Sequence, residues 1–317
     1  MTIVVLLSTY NGTEYVREQL DSILAQKLED IDLKILARDD GSSDGTQDIL
    51  EEYQEKYAGI FSYEAGKNVG VIQSFFKLLD QAPDADYYAF SDQDDVWMKG
   101  KLQRAVDIME GKGNANGNGN KNREIPFLYA CAPTLVDPDL NPISSKIRRV
   151  NIRPSFENAL IENICVGASV VINRKLRELV RGKTPKNARM HDWWLYLVAS
   201  AFGKVYYDET SYLYYRQHGE NVLGMATHRG KELKSRLKMQ KKNQYANSRQ
   251  AGEFVQLYRD VPLKEGSHAR YCMGLAKRFV VARKSFPKRV ALLKEGMYRQ
   301  RVGDHWMYKI KILTGGY

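Results

Sequence analysis

The sequence predicts an α/β protein: a doubly wound, mostly parallel sheet followed by a C-terminal helical extension. Three observations carry this. Apolar, β-branched runs alternate with stretches of helical period. The loops between them are short, as crossover units require. The charge is divided, with an acidic body and a basic tail.

Ile3–Leu7 is a continuous apolar run, expected of a central parallel strand buried on both faces. Ser8-Thr9-Tyr10-Asn11 breaks it, and Asn11 with Glu14 three residues on resembles an N-cap with its capping box. Val16, Leu20, Ile23 and Leu24 then recur at helical spacing. A second strand, Leu33–Ala37, ends in Arg38-Asp39-Asp40-Gly41-Ser42-Ser43-Asp44-Gly45-Thr46, where Ser43 or Asp44 can cap a helix carrying Ile49, Leu50, Tyr53 and Tyr57. A third strand near Ile60–Tyr63 leads into Gly66-Lys67-Asn68-Val69-Gly70. The next helix carries Ile72, Phe75, Phe76 and Leu79.

The fourth strand, Tyr87–Phe90, runs straight into Ser91-Asp92-Gln93-Asp94-Asp95-Val96-Trp97. Ligands of open α/β sheets bind past the carboxyl ends of the strands. Three carboxylates within four positions repel one another unless a cation lies between them. A hard divalent cation shared with substrate phosphates fits oxygen ligands of this kind. Taken alone, the acids read first as a polar turn capping the next helix, so the cation reading rests on what surrounds them.

Residues 111–122 are low-complexity and carry no chemistry. Further strands are expected at Phe127–Ala130 and Val166–Ile172, with a basic segment (Lys146, Arg148, Arg149, Arg153) between them. Asn173 is placed to cap a helix through Val180. Met190-His191-Asp192-Trp193-Trp194 opens another helix, strand-like Val205–Tyr207 and Tyr212–Tyr215 follow, and Arg216-Gln217-His218-Gly219-Glu220-Asn221 closes the body. Beyond Thr227 the pattern is helical, with Cys272, Leu275, Ala276, Phe279 and Val280 on one apolar face.

The 317 residues bear a net charge of +10. Residues 227–317 hold 22 Lys+Arg against 6 Asp+Glu, a net of +16, which leaves −6 on residues 1–226. The expected organisation is an acidic body over 1–226 and a basic, mainly helical region over 227–317. A basic tail seeks an anionic surface. Membrane docking suits it; the alternatives are a solvated helical subdomain or a homodimer contact. No run approaches the eighteen apolar residues of a membrane span. The N-terminus reads as a strand and not a signal peptide. Three scattered cysteines give no disulfide framework or zinc site. The expected home is the cytoplasm, at the inner face of the membrane.

Four segments, Ser8–Asn11, Asp39–Thr46, Ser91–Asp95 and His191–Trp194, occur in an order that resembles family 2 glycosyltransferases of the GT-A fold. The wording of Ser91–Asp95 and Arg216–Asn221 is similar to bacterial rhamnosyltransferases of cell-wall polysaccharide synthesis. The resemblance spans about residues 1–225 and implies that the body, 1–226, is a catalytic domain with a nucleotide-sugar half over about 1–110 and an acceptor half over about 123–226. It implies that Thr9, Tyr10 and Asn11 line a base and ribose pocket, and that Asp39 hydrogen-bonds a pyrimidine N–H with Asp40 supporting its loop. Lys67 and Asn68 would approach the nucleotide, and Asp92 the ribose or a Mg²⁺ or Mn²⁺ ion. Asp94 and His218 would bind that ion, and Asp192 would be the catalytic base. Arg38 departs from the pattern, which has an apolar residue there.

The implied reaction is inverting transfer of L-rhamnose from dTDP-β-L-rhamnose to a lipid-linked glycan, or of a hexose from a UDP donor. Of Trp193 and Trp194, at least one is expected in the core and the other free to stack on an acceptor sugar. Each residue also has a plainer reading. Asp192 can be a helix N-cap, Asp39 and Asp40 Asx-turn residues, and Lys67 and His218 solvated. A nucleotidyltransferase would open with a glycine-rich phosphate loop, and Ser8–Gly12 has one glycine. A nucleic-acid binder would leave the acidic cluster unexplained and would interleave aromatic residues with its basic ones; none is expected as partner.

Overall fold

The computed structural model describes residues 1–112, 122–143, 151–218 and 245–317. Among the described residues eight strands form one sheet in the order β3-β2-β1-β4-β7-β6-β8-β5. They are β1 (Thr2–Thr9), β2 (Asp32–Asp39), β3 (Phe61–Ala65), β4 (Tyr87–Ser91), β5 (Val96–Trp97), β6 (Phe127–Val136), β7 (Val171–Asn173) and β8 (Lys204–Arg216). Pairing is parallel from β3 through β4 and between β6 and β8, while β7 and β5 run against their neighbours. The ends of β1, β2, β4 and β8 therefore open at the same sheet edge.

The first helices are α1 (Val16–Leu24), α2 (Thr46–Lys56), α3 (Val71–Gln81) and α4 (Lys101–Met109). The unbroken apolar run of β1 follows from burial on both faces. Ile3, Val5 and Leu7 pack with Val16, Leu20, Ile49 and Leu102 on one side. Val4 and Leu6 pack with Phe75, Leu79 and Phe90 on the other. Side chains alternate across a strand, so both cores draw on one segment.

The second core is thickened by α5 (Phe156–Ala159), α6 (Arg174–Val180) and α7 (His191–Phe202). Over it lie α8 (Ala246–Leu257), α9 (His268–Ala282), α10 (Phe286–Leu292) and α11 (Val302–Thr314). Phe254, Tyr258, Cys272, Phe279, Tyr308 and Tyr317 belong to the same buried cluster as Val4 and Leu6. The basic tail is thus joined to the sheet by shared core.

Several local expectations are corrected. Asn11 does not cap α1. Its φ is +48°, Tyr15 occupies the cap position without a side-chain bond, and the Asn11 carboxamide oxygen accepts from Ser43 N at 3.0 Å. Gly45 holds the α2 cap position in the left-handed region, and Asp44 Oδ1 accepts from Thr46 N at 3.1 Å. Val166–Ile172 is a 3₁₀ turn, Gly167–Ser169, followed by the three residues of β7. The two strands expected near Val205 and Tyr212 are one, β8, with register shifts against β6 in between. Asn173 does cap α6, accepting from Leu176 N at 3.0 Å. Residues 113–121 of the low-complexity stretch, Lys146, Arg148 and Arg149, Gly219–Asn221 and the part of the basic region before Tyr245 lie outside the described residues.

Candidate active site

β1 and β2 pair in register so that Thr9 lies beside Asp39, and the loops beyond them are laced together. Asp39 is fully buried. Its Oδ1 accepts from Thr9 Oγ1 at 3.0 Å and Ser42 Oγ at 2.5 Å. Its Oδ2 accepts from Gly41 N at 3.2 Å, Ser42 N at 2.8 Å and Gln47 Nε2 at 2.8 Å. Five donors hold the carboxylate, because the tight Gly41–Ser42 turn wraps its own backbone around it. A base N–H bonded to Asp39 would share the carboxylate with them or displace Ser42 or Gln47.

Asp40 holds the neighbouring loop, accepting from Val69 N at 2.9 Å and Gly70 N at 2.8 Å. Arg38, unexpected at a strand end, is buried and donates to Asp40 Oδ1 at 2.5 Å, Ser74 Oγ at 3.1 Å and the Lys67 carbonyl at 3.0 Å. Its guanidinium lies so close to Gly66 that a Cβ there would stand 2.3 Å from Arg38 Nη2. Lys67 and Asn68 are exposed at this rim, and Tyr10 is half-exposed.

The acidic segment divides in two. Asp94 turns outward, and its Oδ2 lies 2.7 Å from His218 Nε2 at the end of β8. Asp92 is half-buried, and among the described residues no hydrogen bond reaches its carboxylate; burial, Asp94 and Asp192 push it upward. Asp95 points into the core instead. Its Oδ1 accepts from Arg216 N at 3.0 Å, and its Oδ2 is buried without a partner among the described residues. A single cation balancing all three acids is therefore not what the fold builds. Burial also raises Asp95 and lowers the buried Lys101 below it to about 7. The Lys101 ammonium sits 3.4 Å over the Trp97 ring.

Arg216 fastens this corner. It donates through Nε to the Asp94 carbonyl at 2.8 Å, through Nη2 to Glu18 and through Nη1 to the Pro138 carbonyl. It also lies 4.5 Å over Tyr15, whose ring meets His218 at 5.2 Å. Sequence reasoning gave Arg216 no role beyond its place beside His218, because its partners come from three separate segments.

Asp94 and His218 suit a divalent cation. One hard oxygen and one imidazole converge beside a second carboxylate that lacks a donor. Among the described residues no group of three or more His, Cys, Asp or Glu side chains is arranged to hold a metal ion; sites that share a cation with phosphates need only one or two protein carboxylates.

Gln93 is a second residue missed from sequence. Its carboxamide brackets Tyr10, accepting from Tyr10 N at 2.7 Å and donating to the Tyr10 carbonyl at 3.0 Å. A Cβ on Gly12 would stand 2.3 Å from Gln93 Oε1. Gln93 thereby ties the first loop to the acidic segment. We expect Gln93→Ala to raise the donor KM about three- to tenfold with a smaller change in kcat, from about 1 kcal/mol of lost hydrogen bonding. Steady-state kinetics checks this, and an unchanged KM would refute the tie.

Asp192 lies in the first turn of α7, two residues past the position that caps it, which Met190 occupies. It is buried, and its Oδ1 accepts from Trp193 N at 2.6 Å. Burial pushes it up to about 6, opposed by hydrogen bonds from the Asn163 side chain and the Trp193 and Gly167 N–H groups. His191 beside it is held neutral: burial lowers it to about 3, neither ring nitrogen has a partner among the described residues, and its ring lies tilted against Phe75 with centroids 4.0 Å apart. The charge of Asp192 bears on Asp92 and helps to push it upward, so the two carboxylates lie within electrostatic reach of each other.

The tryptophans are corrected. Trp194 is wholly buried against Phe254 and Tyr258. Trp193 is 7% exposed, donates to the Ala159 carbonyl at 2.7 Å and lies under Arg189 at 4.6 Å. Neither offers a face to an acceptor sugar, because α7 is enclosed between the sheet and the C-terminal helices.

A model of the family described as glycosyl transferase family 2 matches residues 4–130. The chain is 31% identical over 231 residues to the dTDP-rhamnosyl transferase RfbG of Shigella flexneri, covering 69% of this chain and 73% of that protein. Two solved structures share the fold. Staphylococcus aureus TarS 1–349 in complex with UDP matches with a TM-score of 0.52 at 14% identity, over 89% of this chain and 71% of that one. The mannosyltransferase PcManGT of Pyrobaculum calidifontis, in complex with GDP-Man and Mn²⁺, matches with a TM-score of 0.51 at 15% identity, over 99% and 85%. The expected GT-A architecture is thereby found, and the chain belongs to glycosyl transferase family 2.

Proposed function

We propose that the enzyme transfers L-rhamnose from dTDP-β-L-rhamnose to a hydroxyl of a lipid-linked polysaccharide precursor, with inversion to an α-rhamnoside. The observation that supports the chemistry is a buried carboxylate, Asp192, raised to about 6, whose charge bears on Asp92 beside the Asp94–His218 pair. The similarity to RfbG supports the rhamnosyl donor.

In this reading Thr9, Tyr10, Asn11, Lys67 and Asn68 border the nucleotide, and Asp39 and Asp40 hold their loops in place. Asp192 accepts the acceptor hydroxyl proton as that oxygen attacks the anomeric carbon and the nucleoside diphosphate departs on the opposite face. A base held by burial near the working pH accepts a proton with the least mismatch. Asp94 and His218 would hold a Mg²⁺ or Mn²⁺ ion, whose chemistry is Lewis-acid stabilisation of the diphosphate leaving group. Among the described residues no helix is long and apolar enough to cross a membrane. The basic C-terminal region, in this reading, meets the anionic inner face of the membrane, where a lipid-linked acceptor resides.

The test is donor hydrolysis by purified enzyme over a panel of dTDP- and UDP-sugars with Mg²⁺, Mn²⁺ or EDTA. Turnover of dTDP-rhamnose that EDTA abolishes and Asp94→Ala removes is the expected result. Turnover of a UDP-hexose in its place would sink the rhamnosyl donor and leave the mechanism standing.

A further inference from the structure

The outermost helix, α11, is built inside out. Tyr308 and Ile312 face the core at 7% and 2% exposure. The opposite stripe, Val302, Trp306, Met307 and Ile310, is 58–73% exposed. These positions recur at i, i+4, i+5 and i+8, one continuous face of a helix. On α10, which packs against α11, Phe286 and Val290 are also exposed, at 58% and 40%. Folded chains rarely leave large apolar side chains clustered in this way without a partner.

The surroundings decide which partner. Residues 283–317 carry nine Lys+Arg against Glu295 and Asp304, a net of +7, and Glu295 is already paired with Arg278 at 2.6 Å. Lys284, Lys288, Lys294, Arg301 and Lys311 are exposed. The Lys309 ammonium sits 4.6 Å from the Trp306 ring centre. A second copy would bring two such cationic surfaces together. An anionic bilayer complements both parts, because apolar side chains enter the acyl boundary while flanking lysines reach the headgroups.

We propose that the Val302–Trp306–Met307–Ile310 face of α11, continued by Phe286 and Val290, inserts into the surface of an anionic lipid bilayer. This rests on the membrane-docking reading above and deepens it from attraction by charge to insertion of a defined face. The helix is coupled to the catalytic side. Tyr308 Oη accepts from Asn247 Nδ2 at 3.1 Å, Arg189 Nη1 donates to Asn247 Oδ1 at 2.7 Å, and Arg189 covers Trp193, next to Asp192. A docked α11 therefore holds the acceptor side of the cleft at a fixed distance from the lipid.

The protein contains its own reporter. Of four tryptophans, Trp97, Trp193 and Trp194 are buried and Trp306 is 61% exposed. The experiment mixes the full chain with vesicles of phosphatidylcholine alone or with about one third phosphatidylglycerol, reading sedimentation and quenching of tryptophan fluorescence by brominated acyl chains. Binding to the anionic vesicles, bromolipid quenching that Trp306→Phe removes, and a loss of about tenfold in partitioning for Met307→Asp/Ile310→Asp are expected. Both aspartate substitutions fall on exposed positions, and donor hydrolysis in solution should be unchanged, which confirms folding. Binding without quenching, unaffected by these substitutions, overturns insertion and leaves docking by charge intact. No binding to either vesicle, or self-association through this face in sedimentation velocity, overturns the membrane reading as well.

Discussion

Asp192→Asn is expected to lower kcat for glycosyl transfer by about 10²–10⁴-fold, the usual worth of a positioned general base, while leaving the donor Kd within about twofold. Asn preserves the shape of the side chain and its hydrogen bond with Trp193 N but cannot take a proton. The pH dependence gives a sharper form of the test. Burial raises Asp192 to about 6, and the base must be ionised, so activity should rise with pH through about 6 and level off above it. The Asn variant should lose that limb.

Stability should move the other way. A carboxyl raised in the folded state favours folding when protonated. That contribution is complete below its ordinary value of 3.8 and is lost as pH rises through about 6. At pH 8 the wild-type enzyme carries a buried charge that the Asn variant lacks. The variant's Tm there should be no lower than wild type. A kcat within threefold of wild type would move the base elsewhere; a large fall in Tm at pH 8 would mean that Asp192 is chiefly a structural residue.

Arg38→Met is expected to destabilise the fold by about 3–5 kcal/mol, the cost of removing one member of a buried ion pair. Arg38 and Asp40 are both buried, 2.5 Å apart. Without the guanidinium, Asp40 keeps its bonds from Val69 N and Gly70 N but loses its counter-charge. Ser74 Oγ and the Lys67 carbonyl also lose a donor. Because Arg38 links the loops after β2 and β3, the donor KM should rise as well. Urea denaturation measures the first effect. Arg38→Met/Asp40→Asn should recover part of the loss, since an amide tolerates burial without a cation. A single-variant cost below about 1 kcal/mol would show that solvent reaches the pair.

The sequence by itself determined the architecture and the location of the site. Two-sided burial of β1 and β4 requires unbroken apolar runs, and the loops past parallel strands are where polar side chains gather. Thr9, Asp39 and the Asp92–Asp95 segment were read at strand ends on that ground, and the parallel register of β1, β2 and β4 brings those ends to one edge; Asp192 came from the family resemblance and not from periodicity. What only the tertiary structure decided was which way each polar side chain faces and what already occupies it. Asp94 and Asp95 are adjacent, yet one meets His218 and the other is sealed against the core by Arg216 N. Asp39 is held by donors from its own turn and from Gln47 in the following helix. Trp193 and Trp194 vanish into a core completed by helices more than fifty residues later in the chain. Periodicity reports how much of a segment is buried. It is silent on partners that arrive from distant segments, because a hydrogen bond or an ion pair depends on angstrom-scale placement of both groups. The apolar stripe of α11 shows the same limit from the other side: its pattern promises burial, and only the packing of Tyr308 and Ile312 shows that the fold leaves Trp306 outside.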